Sequence, residues 1–440
     1  MIDHKRCFMK RNSTLAVVCC LLLLLVSCGK KTSEKTSAPR SQLDAGIIAS
    51  CTSRAQAEEL SQQLGISFRV INEKRKLIEY IGISEEELRK HLPKSNFKIN
   101  KVYQEVLVDG DFQVQSAIDY PYYGAHVGAQ RSQRNASFNF PYLIQVDAFS
   151  SSNEGQGAVI AIIDTGVYYN HPHLSPNIFT QNGQMVGWDF YNGDAFPLDD
   201  QGHGTHVAGL AAGTLNGVAP KAKIMPVKVM GSDGRGDFGT IVAGILYAVD
   251  NGADIINLSL GGSGGGSITA DVAAMIDSVI KAKENDVLVV AAAGNGGYDG
   301  LGDCNDNSPV YPANINQDNL IAVAAVNQWN ELTSYSNFGG ATVDIAAPGG
   351  DEWNGGLRSA AVPNCFGPCH EYEADYTYQM GTSMATPLVA GLAALVKTKY
   401  PQMNYKQIRD KILNGGKKFA ELSGLIGSES VINVGLTLSN

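Results

Sequence analysis

The stretch "AVIAIIDTGV", residues 158–167, carries an uninterrupted apolar run that ends at Asp164. A continuous apolar run without polar alternation is typical of a strand buried on both faces of a parallel sheet. A carboxylate at the end of such a strand is costly to bury unless another group pairs with it. The stretch therefore predicts a central parallel strand and a polar partner for Asp164.

Five further apolar runs follow along the chain, separated by stretches with helical periodicity. They are "KIMPVKVM" (223–230), "DIINLSL" (254–260), "VLVVAAAG" (287–294), "LIAVAAV" (320–326) and "VDIAAPG" (343–349). Apolar strands that alternate with helices predict a doubly wound α/β domain, with a mostly parallel sheet between two helix layers. We assign this domain to residues 141–440 and expect its functional residues at the carboxyl ends of the strands.

Composition narrows the class of protein. The 440 residues are 44% apolar and 18% charged, with a formal net charge of −9. These values are typical of a globular chain with a sizeable core and exclude a disordered one. The acidic balance argues against nucleic acid as the main partner, because binding to phosphates needs a basic face.

Residues 1–27 have the pattern of an export signal, with basic residues before the apolar run "LAVVCCLLLLLV" (15–26). That run is shorter than the roughly 20 residues that span a bilayer. The stretch "LVSCGKK" (25–31) resembles the lipobox of bacterial lipoproteins, which implies a lipid on Cys28. A secretory signal with a chance cysteine is the alternative. We expect an exported protein held at the bacterial envelope by this lipid, with the outer membrane favoured because Gly29 is not acidic.

The segment before the α/β domain divides into three parts. Residues 28–44 are polar and predict a flexible tether. Residues 45–108 predict strand, helix, two strands, helix and strand, with capping boxes at Ser53 and Ser84 that begin the helices. This order is typical of a small α+β ferredoxin-like domain. Residues 109–140 are irregular and predict a linker.

Three residues that suit nucleophilic catalysis follow strand ends or begin helices. Asp164 ends the first strand, His203 lies between glycines at the start of a small-residue helix, and Ser383 begins another such helix. Each has an ordinary alternative, as a turn residue, a loop histidine and a helix cap. Together they fit a nucleophile, its base and the group that orients the base.

The motifs around these residues resemble the subtilisin-like serine peptidases, the subtilase family, over about residues 140–415. They are "DTG" (164–166), "HGTHVAG" (203–209), "SLGG" (259–262), "AAAGN" (291–295) and "GTSMATP" (381–387), in the family's order. The resemblance implies a serine endopeptidase acting on proteins or peptides through an acyl-enzyme. It implies Ser383 as nucleophile, His203 as base, Asp164 as its partner and Asn295 as oxyanion-hole donor.

The resemblance also implies how substrate binds. An extended peptide would add as a strand between two enzyme segments, a form of β-augmentation. The matching substrate-binding residues are Gly234, Arg235, Gly236, Phe238, Ser259, Leu260 and Gly261. Phe238 and Ile241 match positions that line the fourth subsite before the cut, although a role in the core fits Ile241 equally well.

Residues 45–108 resemble the inhibitory propeptides of this family. The resemblance implies a monomeric, self-processing zymogen that is inhibited by its own propeptide, cut within 109–140 and thereby released from the lipid on Cys28. A catalytically inert subtilase fold that serves as a binding lipoprotein is the alternative. Against it, all four catalytic positions carry competent residues. An esterase would predict G-x-S-x-G around the serine, and "GTSMA" (381–385) lacks it.

No cofactor is required by this chemistry, and metal binding is left open. The acidic ligand of a tight calcium site in many subtilases would fall at His173, and the loop between 209 and 220 is short, so we predict that this site is absent. Calcium elsewhere, or a solvated acidic surface, fits the loop residues Asp194, Asp199, Asp200, Asp303 and Asp306. Structural disulfides are favoured over a metal site for Cys304, Cys365 and Cys369.

Overall fold

The computed structural model describes most of the chain from residue 154 onward and short parts before it. The described ranges are 154–263, 270–297, 299–351, 355–363 and 375–439, with 46–50, 61–62, 64, 67–72, 77–81, 101–104 and 112–114. The described ranges do not include Cys28, Cys365 or Cys369. They also omit the predicted tether (28–44) and, apart from 112–114, the predicted linker (109–140).

A nine-stranded sheet forms the centre of the domain, in the order β20-β21-β17-β16-β14-β12-β6-β10-β9. Neighbouring strands run parallel, apart from the antiparallel pair at β20 and β21. The strands are β6 (Val159–Asp164), β9 (Trp188–Asp189), β10 (Lys223–Lys228), β12 (Ile255–Leu258), β14 (Leu288–Ala292), β16 (Leu320–Val326), β17 (Ile345–Pro348), β20 (Lys417–Lys418) and β21 (Ser430–Val431).

Each of the six predicted apolar runs contains one of these parallel strands, so the prediction of a mostly parallel α/β sheet is confirmed. The first run shows why these strands lack alternating polar residues. Ile160 and Ile162 of β6 join the hydrophobic cluster on one face of the sheet, while Ala161 and Ile163 join the cluster on the other. Both faces are covered, so every position of the strand is buried.

Helices cover the two faces of the sheet. Those in the described residues are α1 (His203–Ala212), α2 (Phe238–Asp250), α3 (Ala270–Glu284), α4 (Thr382–Lys399), α5 (Tyr405–Asn414) and α6 (Val434–Ser439). Helices α1 and α4 share a hydrophobic cluster on one face, and α2 and α3 share the cluster on the other. None of the helices in the described ranges is long and apolar enough to cross a membrane.

The N-terminal part of the chain forms a separate four-stranded antiparallel sheet in the order β2-β3-β1-β4. Its strands are β1 (Gly46–Ser50), β2 (Ser67–Asn72), β3 (Leu77–Ile81) and β4 (Lys101–Gln104). All four lie within the strand segments predicted for residues 45–108. Most of the first predicted helix and all of the second lie outside the described residues.

A short strand, β5 (Phe112–Val114), lies inside the segment predicted to be an irregular linker. It is part of a second sheet ordered β11-β5-β13-β15, with β11 (Arg235–Gly236), β13 (Leu260–Ser263) and β15 (Val310–Tyr311). Three residues are too few to show an apolar pattern, so the sequence did not predict this strand. It is defined by pairing with partners more than a hundred residues away. Two small hairpins complete the described strands: β7 (Thr180–Gln181) with β8 (Gln184–Met185), and β18 (Leu357–Ala360) with β19 (Tyr376–Gln379).

Candidate active site

The structure brings the predicted Asp164 and His203 into direct contact. Asp164 is the last residue of β6 and His203 the first of α1, and their Oδ1 and Nδ1 atoms are 2.8 Å apart. Both side chains are buried. A carboxylate can only accept a hydrogen bond, so Nδ1 of His203 donates and Nε2 is left as the basic nitrogen of the ring.

The turn after β6 holds the carboxylate in place. The backbone N–H of Thr165 donates to Asp164 Oδ1 at 2.7 Å. Gly204 packs against the same turn, and a Cβ at this position would lie 2.1 Å from the carbonyl oxygen of Gly166. The missing side chain of Gly204 therefore allows α1 to approach the Asp164 turn.

Asp199 fixes the start of the histidine helix. It is buried, and its Oδ1 accepts hydrogen bonds from Gly202 N at 2.8 Å and Thr165 Oγ1 at 2.9 Å. Its Oδ2 accepts from the backbone N–H and the hydroxyl of Thr205, at 2.9 and 2.6 Å. The carboxylate thus satisfies N–H groups that the first helical turn leaves without partners. Asp199 is therefore neither a solvated loop acid nor an available calcium ligand, which corrects the sequence interpretation.

Ser383 lies in the first turn of α4, after Gly381, which has a positive φ of 146°. Its hydroxyl donates to the carbonyl oxygen of Ser259 at 2.9 Å. In return, the Ser259 hydroxyl donates to the Ser383 carbonyl oxygen at 2.8 Å. These reciprocal bonds join the nucleophile turn to a predicted substrate-binding segment.

The hydrogen bond that proton transfer requires between serine and histidine is not formed in this structure. His203 Nε2 is buried and has no hydrogen-bond partner among the described residues. Ser383 Oγ is turned towards Ser259 instead. Helices α1 and α4, whose first turns carry His203 and Ser383, pack against each other. Catalytic hydrogen bonds of this kind are often long or misaligned in free enzymes and tighten when substrate binds.

Asn295 follows β14 and contacts the residue before the nucleophile. Its Oδ1 accepts from the backbone N–H of Thr382 at 2.9 Å and from the Thr382 hydroxyl at 3.0 Å. With the oxygen held in this way, Nδ2 is the amide atom that can donate to a negatively charged oxygen. The backbone N–H of Ser383 supplies a further donor, at the positive end of the α4 helix dipole.

Replacing Asn295 with alanine is expected to lower kcat by about 10²–10³-fold, the usual effect of losing one oxyanion-hole donor. KM should change little, because the donor stabilises charge that develops only in the transition state. Steady-state hydrolysis of a chromogenic peptide measures both constants. Asn319→Ala, which removes a fully buried asparagine at the amino end of β16, is the matched control. An unchanged kcat in Asn295→Ala would contradict the role.

Most of the predicted substrate-binding residues lie on or next to two strands of the sheet β11-β5-β13-β15. Arg235 and Gly236 form β11, Gly234 precedes them with a positive φ of 72°, and Leu260 and Gly261 lie in β13 directly after Ser259. Between β11 and β13 lies β5, antiparallel to both. A segment of the chain itself thus occupies the place predicted for an extended peptide.

The two residues assigned to the fourth subsite lie under this sheet. Phe238 begins α2 and is 7% exposed, and Ile241 is fully buried. Both belong to the hydrophobic cluster between α2, α3 and the central sheet. Ile241 therefore takes the core role that the sequence left open, while Phe238 keeps a small exposed area.

No three of the metal-binding residue types His, Cys, Asp and Glu lie close enough to share an ion within the described ranges. Among the loop acids, Asp200 pairs with the buried Lys228 at 2.6 Å and Asp306 accepts from the Thr342 hydroxyl at 2.7 Å. His173, at the position of the family's calcium ligand, lies with Nδ1 3.0 Å from the Thr214 hydroxyl oxygen.

Cys304 is disulfide-bonded, as favoured from the sequence. The sequence offers Cys365 and Cys369 as its partner, and both lie outside the described residues, so the choice between them stays open. The bonded cysteine lies in the loop after Asn295, where its strand-like pairing with Phe338 ties this loop to the neighbouring one.

A second buried histidine, His206, connects α1 to the hairpin before the nucleophile. Its Nε2 lies 2.9 Å from the carbonyl oxygen of Leu357, and the Ser359 hydroxyl donates to the carbonyl oxygen of His206 at 2.7 Å. Complete burial, with a smaller contribution from nearby His203, lowers the pKa of His206 from 6.5 to about 3. The ring is thus neutral in the folded protein at ordinary pH.

The low pKa of His206 predicts a loss of stability in acid. In the unfolded chain His206 binds a proton below about pH 6.5, whereas in the folded chain it does so only below about pH 3. The free energy of unfolding should therefore fall by roughly 1.4 kcal/mol per pH unit from this one group as pH drops through that range. Urea unfolding of Ser383→Ala at pH 7, 6 and 5 measures the slope without self-digestion. Adding His206→Gln should make the slope shallower by about one proton, and an unchanged slope would contradict the assignment.

Known proteins resemble this chain in sequence and fold. A model of the subtilase family matches residues 155–427. Thermitase of Thermoactinomyces vulgaris is 40% identical over 266 residues, 59% of this chain and 81% of thermitase. Subtilisin DY of Bacillus licheniformis is 36% identical over 298 residues, 66% of this chain and 96% of that protein. The crystal structure of fervidolysin from Fervidobacterium pennivorans, a keratinolytic enzyme related to subtilisin, matches 92% of this chain and 62% of its own with a TM-score of 0.66; at 21% identity it supports the fold alone.

Proposed function

This chain belongs to the subtilase family and is a serine endopeptidase, and we propose that it is made as a lipid-anchored zymogen that cuts itself. In this proposal the N-terminal sheet and β5 inhibit the peptidase until Ser383 cleaves the chain within its own cleft. The observation that carries the proposal is the position of β5 between the two predicted substrate-binding strands.

The reaction follows from the roles assigned to four residues. Ser383 Oγ attacks the carbonyl carbon of a peptide bond while its proton passes to His203 Nε2. Asp164 keeps Nδ1 protonated and stabilises the imidazolium, and Asn295 Nδ2 donates to the oxyanion. The C–N bond then breaks as His203 returns the proton to the leaving amine. Water, deprotonated by His203, hydrolyses the acyl-enzyme and restores Ser383.

The pairing of β5 supports a substrate-like placement. Gln113 pairs with Arg235 on one side and with Gly261 on the other, so both predicted binding segments are engaged at once. Backbone pairing of this kind supplies affinity with little demand on side chains. An external peptide would need the same backbone groups, so β5 and substrate cannot bind together.

The N-terminal sheet is suited to hold β5 in this cleft. Its strand β2 packs on α2, and its strand β4 packs on α3. These helices are the same two that cover one face of the catalytic sheet. Because β5 follows β4 after only seven residues, anchoring on both helices keeps β5 close to the cleft, and it acts at a high effective concentration.

The register predicts which bond is cut. Leu260 pairs with Val114 and Gly261 with Gln113, so Ser259 corresponds to position 115 in the same register. The Ser259 carbonyl oxygen is also the group that accepts from Ser383 Oγ. The carbonyl of Gln115 is therefore the one assigned to attack, and maturation should break the Gln115–Ser116 bond, within the 109–140 segment.

The N-terminal sequence of the mature protein tests this proposal. We expect it to begin at Ser116, with a fragment ending at Gln115. Ser116→Pro should block the cut, because proline fixes φ and removes the N–H at the bond. Ser132→Pro, a matched change farther along the same segment, should mature normally. Maturation at another position that Ser116→Pro leaves unaffected would refute the assigned bond.

Lipid attachment at Cys28 completes the proposal. Because Cys28 precedes the proposed cut, the lipid would stay with the inhibitor fragment and the catalytic domain would leave the membrane. Fractionation of cells that express the protein should find the full chain in membranes and the mature fragment outside them. Mature catalytic domain that still carries lipid would contradict release, and Cys28→Ala should yield a full chain without membrane association.

A further inference from the structure

We propose that Asn337 is a positioning residue for catalysis, which holds the loop that carries the oxyanion donor Asn295. The inference rests on the role proposed above for Asn295. No motif around Asn337 pointed to the active site, since "TSYSNFGG" (333–340) has the composition of an ordinary turn.

The side chain of Asn337 is almost completely buried, and all of its polar atoms are engaged. Its Oδ1 accepts from the backbone N–H of Gly296 at 2.7 Å and of Asp303 at 2.9 Å. Its Nδ2 donates to Asn305 Oδ1 at 2.9 Å. A buried amide whose oxygen and nitrogen are both hydrogen-bonded fixes the groups around it, because its loss would leave those groups unpaired in a dry interior.

These bonds hold the backbone on both sides of Asn295. After Asn295, the N–H of Gly296 is bound by the Asn337 side chain. Before it, the backbone N–H of Asn337 donates to the Gly294 carbonyl oxygen at 2.9 Å. The Asn305 side chain adds a bond to the carbonyl oxygen of Ala293 at 2.8 Å. Asn337 and its partner thus fix three of the peptide groups next to the oxyanion donor.

The glycines that flank Asn295 show how closely Asn337 approaches the loop. Gly294 and Gly296 have φ values of +113° and +72°, which residues with side chains rarely adopt. A Cβ on Gly294 would lie 2.6 Å from Asn337 Nδ2. The loop conformation therefore depends on glycine at these positions and on the asparagine packed against them.

The loop connects Asn337 to the nucleophile. Asn295 Oδ1 is bound by Thr382, and the N–H of Gly294 donates to the Thr382 hydroxyl at 3.2 Å. Thr382 directly precedes Ser383. An oxyanion donor acts well only when it is aimed in advance at the developing charge, and a misplacement of about 1 Å can cost about 10²-fold in rate.

Asn337→Ala should therefore lower kcat for peptide hydrolysis by about tenfold or more, with KM changed little. The decisive readout is a double-mutant cycle with Asn295→Ala. If Asn337 acts by positioning Asn295, adding Asn337→Ala to Asn295→Ala should lower kcat by less than about twofold. Asn319→Ala, a buried asparagine that contacts Val279 and Val287 instead, should leave kcat unchanged in both backgrounds.

A conservative variant keeps the test usable if the alanine variant does not fold. Asn337→Asp retains the acceptor for the N–H groups of Gly296 and Asp303 and places an oxygen where the donor to Asn305 was, so its kcat should lie between wild type and alanine. Each variant is first matured by a trace of tagged wild-type enzyme, which is then removed. Ser383→Ala, treated in the same way, gives the activity that any remaining wild-type enzyme contributes.

Two results would overturn the inference. One is a wild-type kcat in Asn337→Ala, and the other is a loss of the same size in the presence and absence of Asn295. The second result would indicate a purely structural role. Both results are comparisons with an active wild-type enzyme. An inactive wild type would instead refute the proposed peptidase function.

Discussion

Replacing Ser383 with alanine is expected to lower kcat for peptide hydrolysis by about 10⁶-fold, with KM little changed. The alanine cannot form the acyl-enzyme, so the residual rate comes only from water attack on a bound and polarised peptide. The variant is first matured by added wild-type enzyme, which is then removed. Hydrolysis of a fluorogenic peptide then measures the loss in kcat. Circular dichroism checks that the fold is intact.

The matched control for this variant is Ser278→Ala. Ser278 is a buried serine on α3 whose hydroxyl donates to the Met275 carbonyl oxygen at 2.7 Å. Its loss should alter stability slightly and leave kcat within about twofold of wild type. Activity of Ser383→Ala within tenfold of wild type would identify another nucleophile, whatever the control shows.

Asp164→Asn is expected to lower kcat by about 10⁴-fold at neutral pH. Asparagine has nearly the shape of aspartate, but its amide oxygen carries no charge and stabilises an imidazolium far less. In the amide orientation that puts Nδ2 at the present Oδ1 position, this donor faces His203 Nδ1 and favours the tautomer with the proton on Nε2. A protonated Nε2 cannot act as the base for Ser383. The pH profile of kcat/KM reports this change.

Asp410→Asn controls for the loss of one negative charge. Asp410 is 45% exposed and pairs with Lys406 on the surface of α5, at 2.9 Å. Its replacement should change kcat by less than about twofold, since exposed ion pairs contribute little. If Asp164→Asn retained a tenth or more of the wild-type kcat, the carboxylate would not be what holds His203 in its reactive tautomer.

The apolar runs predicted the central sheet because their pattern is local. In β6, for example, six consecutive positions are buried, as expected for a central strand that is covered on both faces. Asp164, His203 and Ser383 were also found from the sequence, since each sits where a strand ends or a small-residue helix begins. The contact between Asp164 and His203 followed from that arrangement.

The supporting residues could not be found in the same way. Asp199 looked like one of several loop acids, and only the fold buries it under the start of α1. Asn337 lies forty-two positions along the chain from Asn295, and nothing local marks it. Strand β5 has just three residues and is defined by pairing with β11 and β13. In each case the signal is a hydrogen bond or a strand pairing of the folded chain, which no periodicity records.

The intact mass of the exported protein, measured beside Ser383→Ala in a host that processes lipoproteins, tests the central claim most directly. We predict that the wild type yields a mature fragment that begins at Ser116, while Ser383→Ala remains full length. That pair of results would make Ser383 the nucleophile of a cut within the chain's own cleft. Two full-length proteins, or two proteins cut alike, would contradict self-processing by Ser383.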